Sequence, residues 1–217
     1  IGAVEETIET PTRDESKNTV LHVLRSFDIN KPGTKIKNLN GGVIGGSLIQ
    51  GKFSIGDEIE IKPGLQNEKK KNYQSIHTEI VSLGTGAGIV DVVKPGGLVA
   101  IGTKLDPSLT RSDSLIGSVI GKPDTLPENS TGAKLQVHLF DTAVGSAGET
   151  KVTPIKVDEL LRVSVGTAPV PAKVTKVTSD NVEIEFKRPV CIFAKGSVAL
   201  SRRIAERWRL IGAGVID

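Results

Sequence analysis

The chain has 217 residues, enough for one or two domains, and 37% of them are hydrophobic, enough for a buried core. Its net charge is +3, and no apolar run approaches the roughly 20 residues that a membrane helix needs. The first 18 residues are acidic and polar, so we expect no signal peptide. The single cysteine, Cys191, cannot form an internal disulfide, so we expect a reducing compartment, the cytoplasm. Because the chain lacks Met and starts at Ile1, we expect a piece of a longer protein.

The first half of the chain predicts a short helix followed by several strands. Residues 3–9 are typical of the last turns of a helix that ends near Pro11. Short apolar runs separated by Gly and Pro predict strands at residues 20–27, 42–50, 57–61, 73–83, 98–101 and 115–120. The alternation in 57–61 has a period of two, so Ile59 and Ile61 should face a core. We expect Pro63 and Gly64 to end that strand.

The second half predicts strands throughout. Residues 122–131 contain Pro123 and Pro127 among polar residues, which indicates a linker or a domain boundary. Further strands are predicted at residues 134–140, 150–155, 160–165, 173–177, 181–186, 191–193, 197–202 and 207–216. Strands at this spacing, with almost no helix signal, predict an all-β chain of two consecutive barrels or sandwiches.

Residues 46–53 match most of a phosphate-binding loop but lack its chemistry. Lys52 is followed by Phe53, whereas that loop needs Ser or Thr at this position to hold Mg²⁺. The loop also needs a strand before it and a helix after it, and here predicted strands lie on both sides. We therefore expect a tight β-hairpin rather than a nucleotide site.

The sequence gives no positive argument for metal binding or catalysis. His22, His77 and His138 are far apart in the sequence and Cys191 stands alone, so no pair has the spacing of zinc ligands. Adjacent acidic residues point to opposite faces of a strand, which does not suit paired acid–base chemistry. No nucleophile-elbow signature is present. We predict no catalytic residue, no metal site and no enzyme activity in this chain.

Positive charge is concentrated towards the C-terminal end. Residues 186–210 carry Lys187, Arg188, Lys195, Arg202, Arg203, Arg207 and Arg209 against Glu206 alone. Arginines around Trp208 suit phosphates and stacked bases, and a solvated basic face is the alternative. We expect Trp208 to anchor a core and some of the arginines to contact a partner. Lys31, Lys35 and Lys37 follow a Pro-Gly turn and either follow a polyanion backbone or lie in a solvated loop.

Long, ordered motifs resemble one family. Residues 25–33 (Arg-Ser-Phe-Asp-Ile-Asn-Lys-Pro-Gly), 41–51 and 56–64 resemble the second domain of the γ subunit of archaeal and eukaryotic translation initiation factor 2. Residues 94–110, 201–204 and 207–212 (Arg-Trp-Arg-Leu-Ile-Gly) extend the resemblance. It covers nearly the whole chain from about Thr12. The family is similar to elongation factor Tu, in which a GTPase domain is followed by two β-barrels.

The resemblance implies a division into three parts. Residues 1–18 would be the remnant of the last G-domain helix with a linker, 19–124 the second domain and 125–217 the third, both β-barrels. GTP and Mg²⁺ would bind the G domain. This chain should therefore neither bind nor hydrolyse GTP, and it should need no cofactor.

The resemblance also implies partners. The family delivers aminoacylated initiator tRNA to the small ribosomal subunit, and the second domain would hold the acceptor end of the tRNA near residues 45–52 and 76–82. The residues expected to contact tRNA are Lys31, Lys35, Lys37, Gly45, Gly46, Lys52, Arg202, Arg203 and Arg207. The α subunit would dock on residues 65–73 and 84–94, with Lys69, Lys70, Lys71, Tyr73, Gly86 and Asp91 as expected contacts.

Other functions stay open at this point. The barrels of another tRNA-carrying GTPase, such as the selenocysteine-specific elongation factor, share the architecture, although the Arg-Ser-Phe-Asp and Arg-Trp-Arg-Leu-Ile-Gly segments argue against it. A protein-interaction scaffold would retain only the docking of the α subunit. A nucleotide-hydrolysing enzyme acting through residues 46–52 is the remaining hypothesis.

Overall fold

A computed structural model describes residues 2–8, 13–66, 72–145, 150–179 and 181–217 of the chain. Within these ranges nearly all regular structure is β-strand. The helical elements among them are α1 (Gly2–Thr7) and short 3-10 segments at Ile36–Asn38 and Pro107–Asp113. No helix in the described ranges has the length and apolarity that a membrane crossing requires.

The first barrel is a closed ring of six antiparallel strands with three short strands beside it. Its strands are β1 (Val20–Phe27), β2 (Val43–Gln50), β3 (Phe53–Ser54), β4 (Glu58–Gln66), β5 (Tyr73–Thr85), β6 (Gly88–Val90), β7 (Val92–Val93), β8 (Leu98–Thr103) and β9 (Val119–Gly121). The ring order is β4-β9-β1-β2-β8-β5, and the pairing of β4 with β5 closes it. Strand β6 extends the sheet beyond β5, while β3 and β7 pair with each other.

The second barrel is also closed and antiparallel. Its strands are β10 (Asn129–Val144), β11 (Leu160–Val165), β12 (Ala168–Val177), β13 (Asn181–Cys191), β14 (Ser197–Ile204) and β15 (Arg207–Ile216). They follow the order β10-β13-β12-β11-β14-β15, and β10 pairs with β15 to complete the ring. The all-β fold that strand spacing predicts is confirmed, and both units are barrels, as the resemblance implies, rather than sandwiches.

Each barrel has its own apolar core. In the first, alternating residues of β2 and β4 point inwards, and Ile59 and Ile61 are fully buried, as the period-two pattern predicts. In the second, Leu161, Val163 and Leu200 are fully buried in a separate cluster. A fully closed ring leaves no unpaired edge, which explains how short strands suffice here.

Residues 122–128 connect β9 to β10 and pack between the barrels. The ammonium of Lys62, on the outer face of β4, lies 3.2 Å from the carbonyl of Pro127 and 3.5 Å from the carboxylate of Glu128. The side-chain amide of Asn129 donates to the carbonyl of Pro63. Strand β4 is therefore buried on both faces, and its outer face contacts the segment that connects the two barrels. The expected domain boundary between residues 124 and 125 lies within this segment.

Several predicted elements are wrong, among them the strand at residues 115–120, of which only Val119 and Ile120 belong to a strand, β9. Strand β4 does not end at Pro63 and Gly64 but continues to Gln66, because a register shift and a positive φ of 85° at Gly64 let the pairing resume. Residues 150–155 form a single bridge, Lys151 with Thr142, because the carbonyls of Thr153 and Pro154 face the guanidinium of Arg202 instead of a strand. Residues 191–193 are not a separate strand, since β13 runs through Cys191.

Candidate functional site

A cationic loop joins β1 to β2 and carries three of the predicted contact residues. We call residues 28–42 the lysine loop. Lys31, Lys35 and Lys37 are all exposed, and among the described residues no carboxylate lies within 4 Å of their ammonium groups. Ile36, in the middle of the loop, is 89% exposed. The loop thus presents unpaired positive charge around one exposed aliphatic side chain.

The base of the lysine loop is closed by two asparagines. The side-chain amide of Asn30 donates to the carbonyl of Asn40 at 2.8 Å and accepts from the backbone N–H of Asn40 at 2.8 Å. Asp28 accepts the backbone and side-chain N–H groups of Asn30, and these hydrogen bonds lower the pKa of Asp28 below its ordinary value. The carboxylate therefore stays ionised at neutral pH and helps to fix the base of the loop.

The two predicted glycines of β2 have opposite orientations. Gly46 is buried, and a β-carbon there would lie 2.3 Å from the carbonyl oxygen of His22 in β1. Gly45 lies on the outer face, where a β-carbon would meet Arg25 at an ordinary 3.6 Å. Only Gly45 is placed to contact a partner. Gly46 instead allows β1 and β2 to approach closely inside the barrel.

The predicted hairpin at residues 46–53 is wrong. Strand β2 pairs with β1 and β8, and β3 pairs with β7. The chain turns at Gly51, which has a φ of 72° and whose N–H donates to the carbonyl of Asp14. The glycines of this segment therefore lie inside a strand or at a turn fixed by other contacts. They do not form a loop that surrounds a phosphate.

Small residues make the outer face of the first barrel smooth. Gly45 pairs with Ala100, and Ala100 pairs with Gly84 on the next strand. Ile89 pairs with Gly84 and is 80% exposed, and Leu98 is 69% exposed. The result is a strip of small residues across β2, β8 and β5, with the exposed apolar side chains of Ile89 (β6) and Leu98 beside it, where another molecule can approach the backbone closely.

The predicted contact arginines of the second barrel differ in whether a carboxylate already pairs with them. Arg202 is largely buried: its guanidinium donates to both carboxylate oxygens of Glu159 and to the carbonyl of Thr153. Arg203 pairs with Glu206 in the turn between β14 and β15. Arg207 is exposed and has no acidic partner within 4 Å among the described residues. Arg202 is therefore committed to the fold, which the sequence did not reveal.

Trp208 is not the core anchor that we predicted. It is only half-buried, it lies opposite Arg203 in the β14–β15 pair, and it is absent from the buried cluster of the second barrel. Aliphatic side chains and Phe186 fill that core. Trp208 instead forms part of the surface around the exposed Arg203 and Arg207.

The residues predicted to dock the α subunit lie at two distant places. Tyr73 begins β5, whereas Gly86 and the exposed Asp91 follow its other end. A strand of 13 residues spans about 40 Å when extended, so the structure does not bring these residues together. Lys69, Lys70 and Lys71 lie outside the described residues.

Lys52 lies beyond β2, at the opposite end of that strand from the lysine loop. It lines a cavity of about 340 Å³ together with Lys17 and Lys122, two lysines that the sequence patterns did not single out. No group of three His, Cys, Asp or Glu side chains in the described ranges is arranged to hold a metal ion. The arrangement offers cationic and apolar surfaces for binding.

Two closed barrels in series, with these surfaces on their outer faces, define a two-barrel module of the translation-factor type. The family model described as "Initiation factor eIF2 gamma, C terminal" matches residues 131–216, most of the second barrel. The chain is 49% identical over 219 aligned residues to translation initiation factor 2 subunit gamma of Aeropyrum pernix. It is 50% identical over 218 residues to that of Pyrococcus furiosus and 49% over 216 residues to that of Archaeoglobus fulgidus.

Each of these alignments covers 100% of the chain but only 53%, 53% and 51% of the relative. The chain therefore spans about half the length of the relatives that it matches. The resemblance carried by the sequence motifs is confirmed: along its whole length the chain is a homologue of the γ subunits of translation initiation factor 2.

Proposed function

We propose that the chain is the docking part of a GTP-switched carrier of initiator tRNA. It binds the acceptor end of aminoacylated initiator tRNA and holds the α subunit of the factor during delivery to the small ribosomal subunit in the cytoplasm. The observation that supports the tRNA contact is the lysine loop, whose three ammonium groups are exposed and unpaired while its base is closed by Asn30 and Asn40.

The physical reason is electrostatic. Phosphate contacts from Lys side chains release counterions, which supplies sequence-independent affinity for a nucleic acid. An ammonium that already has a carboxylate partner contributes less to the affinity for a nucleic acid, because that partner must first be displaced. A loop whose base is already closed also loses less conformational entropy on binding than one whose ends are free. The smooth outer face at Gly45 lets a nucleotide approach the barrel wall.

A charge-neutralised triple variant tests this contact. We expect Lys31→Gln/Lys35→Gln/Lys37→Gln to weaken binding of labelled initiator tRNA, measured by fluorescence anisotropy between 50 and 200 mM salt. Since each phosphate contact contributes about one unit, the slope of log K against log salt should become shallower by about 2 to 3.

The matched control is Lys134→Gln/Lys173→Gln/Lys176→Gln. These three lysines already pair with Asp217, Asp158 and Glu183, so this variant should keep the parent slope. Equal losses in both variants, or no binding of tRNA by the parent chain at 50 mM salt, would contradict the tRNA contact.

A second candidate function is docking of the α subunit. It is supported by residues 84–94, where Ile89 is 80% exposed and Val92 is 43% exposed beside Gly86 and Asp91. Exposed aliphatic side chains at a protruding turn are typical of protein contacts. We expect Ile89→Asp to weaken binding of the α subunit in calorimetry, whereas Ile36→Asp in the lysine loop should not. The reverse result would place the docking surface elsewhere.

We also propose that this chain does not hydrolyse nucleotides. The segment that resembles a phosphate-binding loop is a paired strand with Gly46 buried inside the barrel. GTP or ATP should therefore cause no rise in the melting temperature of the chain that depends on Mg²⁺. A rise that depends on nucleotide concentration and disappears without Mg²⁺ would overturn this statement.

A further inference from the structure

A polar cavity of about 340 Å³ lies where three separate parts of the chain meet. One wall is the segment before β1, one is the turn after β2, and one is the connection that follows β9. The lining residues are Glu15, Ser16, Lys17, Asn18, Thr19, Lys52, Lys122 and Thr125. Each of the three parts contributes one lysine.

The walls of this cavity are fixed by hydrogen bonds. The N–H of Gly51 donates to the carbonyl of Asp14 at 2.9 Å, and the side chain of Gln50 donates to the carbonyl of Asn18 at 2.7 Å. The hydroxyl of Thr19 donates to the carbonyl of Lys52 at 2.9 Å, which joins the first wall to the second. The lysines thus project from backbone that is already ordered.

The ammonium groups in the cavity keep their hydrogen-bond donors available. Lys17 lies 3.8 Å from Asp14 and Lys122 lies 3.6 Å from Asp57, both too far for a charge-assisted hydrogen bond. Lys52 has no carboxylate within 4 Å among the described residues.

Other lysines of the chain are hydrogen-bonded to acids. The contacts Lys134–Asp217 and Lys173–Asp158 are both 2.7 Å. Glu15 is the acidic residue in the cavity wall, and its carboxylate lies 3.0 Å from Lys94. The cavity is therefore lined by three lysines, of which Lys52 has no carboxylate within 4 Å among the described residues, and by one acid that is already paired with a lysine outside the cavity.

We propose that this cavity binds a phosphate group. The lining has a lysine from each of three chain segments, and lysine ammonium groups are common phosphate ligands; the lining contains no aromatic side chain on which a base would stack. The proposal deepens the proposed function and rests on it, because the bound tRNA is the expected source of the phosphate. A bound phosphate would connect the segment before the first barrel to the connection between the barrels.

The test is an NMR titration of the ¹⁵N-labelled chain with pyrophosphate, with sodium chloride at equal ionic strength as the reference. We expect saturable shifts at the amides of Thr19, Lys52 and Thr125. Lys52→Gln should weaken pyrophosphate binding by about fivefold or more, because it removes the one lysine that has no acidic neighbour. Lys173→Gln, which loses an ammonium already paired with Asp158, should bind pyrophosphate as the parent does.

A second arm identifies the source of the phosphate. The probe is a short ribo-oligonucleotide without terminal phosphates. If it shifts the same amides, the proposal is supported and the ligand is a phosphodiester of the backbone. If only pyrophosphate shifts them, the proposal is supported and the ligand is a terminal or free phosphate. Absence of saturable shifts with both probes, or equal affinity in Lys52→Gln and the parent, overturns the proposal. Failure of the proposed function looks different: tRNA binding is absent, while pyrophosphate still shifts these amides.

Discussion

Arg202 and Glu159 join strand β14 to the loop that precedes β11 in the second barrel. The guanidinium in β14 donates to both oxygens of the carboxylate, with an Nη2 to Oε2 distance of 3.1 Å, and it also donates to the carbonyl of Thr153 at 2.9 Å. Both side chains are more than four-fifths shielded from solvent. This pair therefore fixes residues 150–159 against the barrel, and it makes Arg202 a structural residue rather than a tRNA contact.

Removing this arginine should cost stability. We expect Arg202→Ala to lower the free energy of unfolding by about 2 kcal/mol, because it leaves Glu159 partly buried without its partner. Arg203→Ala, at an exposed neighbouring position, should change it by less than about 0.5 kcal/mol. Urea denaturation measures both values. A loss of tRNA affinity in Arg202→Ala with unchanged stability would show that the residue acts as a contact after all.

The two neighbouring glycines of β2 form a matched pair. Gly46→Ala should destabilise the first barrel by about 2 kcal/mol, because its β-carbon would lie 2.3 Å from the carbonyl oxygen of His22. Gly45→Ala should be tolerated within about 0.5 kcal/mol, since its nearest contact is ordinary. Thermal melts of the two variants give the comparison. Equal effects would mean that the inward and outward faces of β2 are assigned wrongly.

His22 predicts a pH dependence at the contact between the barrels. Its ring packs against Gly166 and, edge to face, near Phe193, and its Nδ1 is buried without a hydrogen-bond partner. Burial lowers the pKa of His22 below its ordinary value near 6.5. The unfolded chain therefore takes up the proton first, and stability falls as the pH drops below about 6.5.

The measurement compares the free energy of unfolding at pH 7.5 and pH 5.5. His22→Gln should lose less stability between these values than the parent, while His138→Gln, at an exposed position, should lose as much as the parent. The expectation is wrong if His22→Gln and His138→Gln respond to pH in the same way.

Cys191 should react slowly while the barrels stay together. Burial at the contact between the barrels raises the pKa of its thiol to about 11, although the nearby Lys62 opposes this shift. At pH 8 the thiolate fraction is then roughly one in a thousand, against about a quarter for an ordinary thiol near 8.5. Iodoacetamide should modify the folded chain far more slowly than the chain in 8 M urea. Similar rates in both would show that the contact between the barrels opens freely.

The elements that sequence patterns predict well are those governed by local alternation. Strands β1, β11 and β15 have the bounds that their apolar runs indicate, since each run lies between turn residues. The predictions of a strand end at Gly64 and of a strand at residues 150–155 are wrong because distant partners decide the structure of these residues. The register shift in β4 depends on β5, and the loop before β11 depends on Arg202.

The candidate binding residues also divide into those that the local sequence predicts and those that depend on distant parts of the chain. The lysine loop can be found from the sequence because a Pro-Gly turn and three lysines are close together in the chain. The cavity cannot, because Lys17, Lys52 and Lys122 come from three distant segments that meet only after the barrel has closed. Whether an arginine is free or paired is equally invisible in the sequence, as Arg202 and Arg207 show.

The most direct test of the proposed function is to map initiator tRNA on the ¹⁵N-labelled chain by NMR at 50 mM salt. We expect the largest changes at residues 28–42 and at the outward-facing Gly45, with little change at Lys134 and Lys173. Unchanged spectra, or changes confined to parts of the second barrel away from Arg203 and Arg207, would contradict the account that these barrels dock tRNA through the lysine loop.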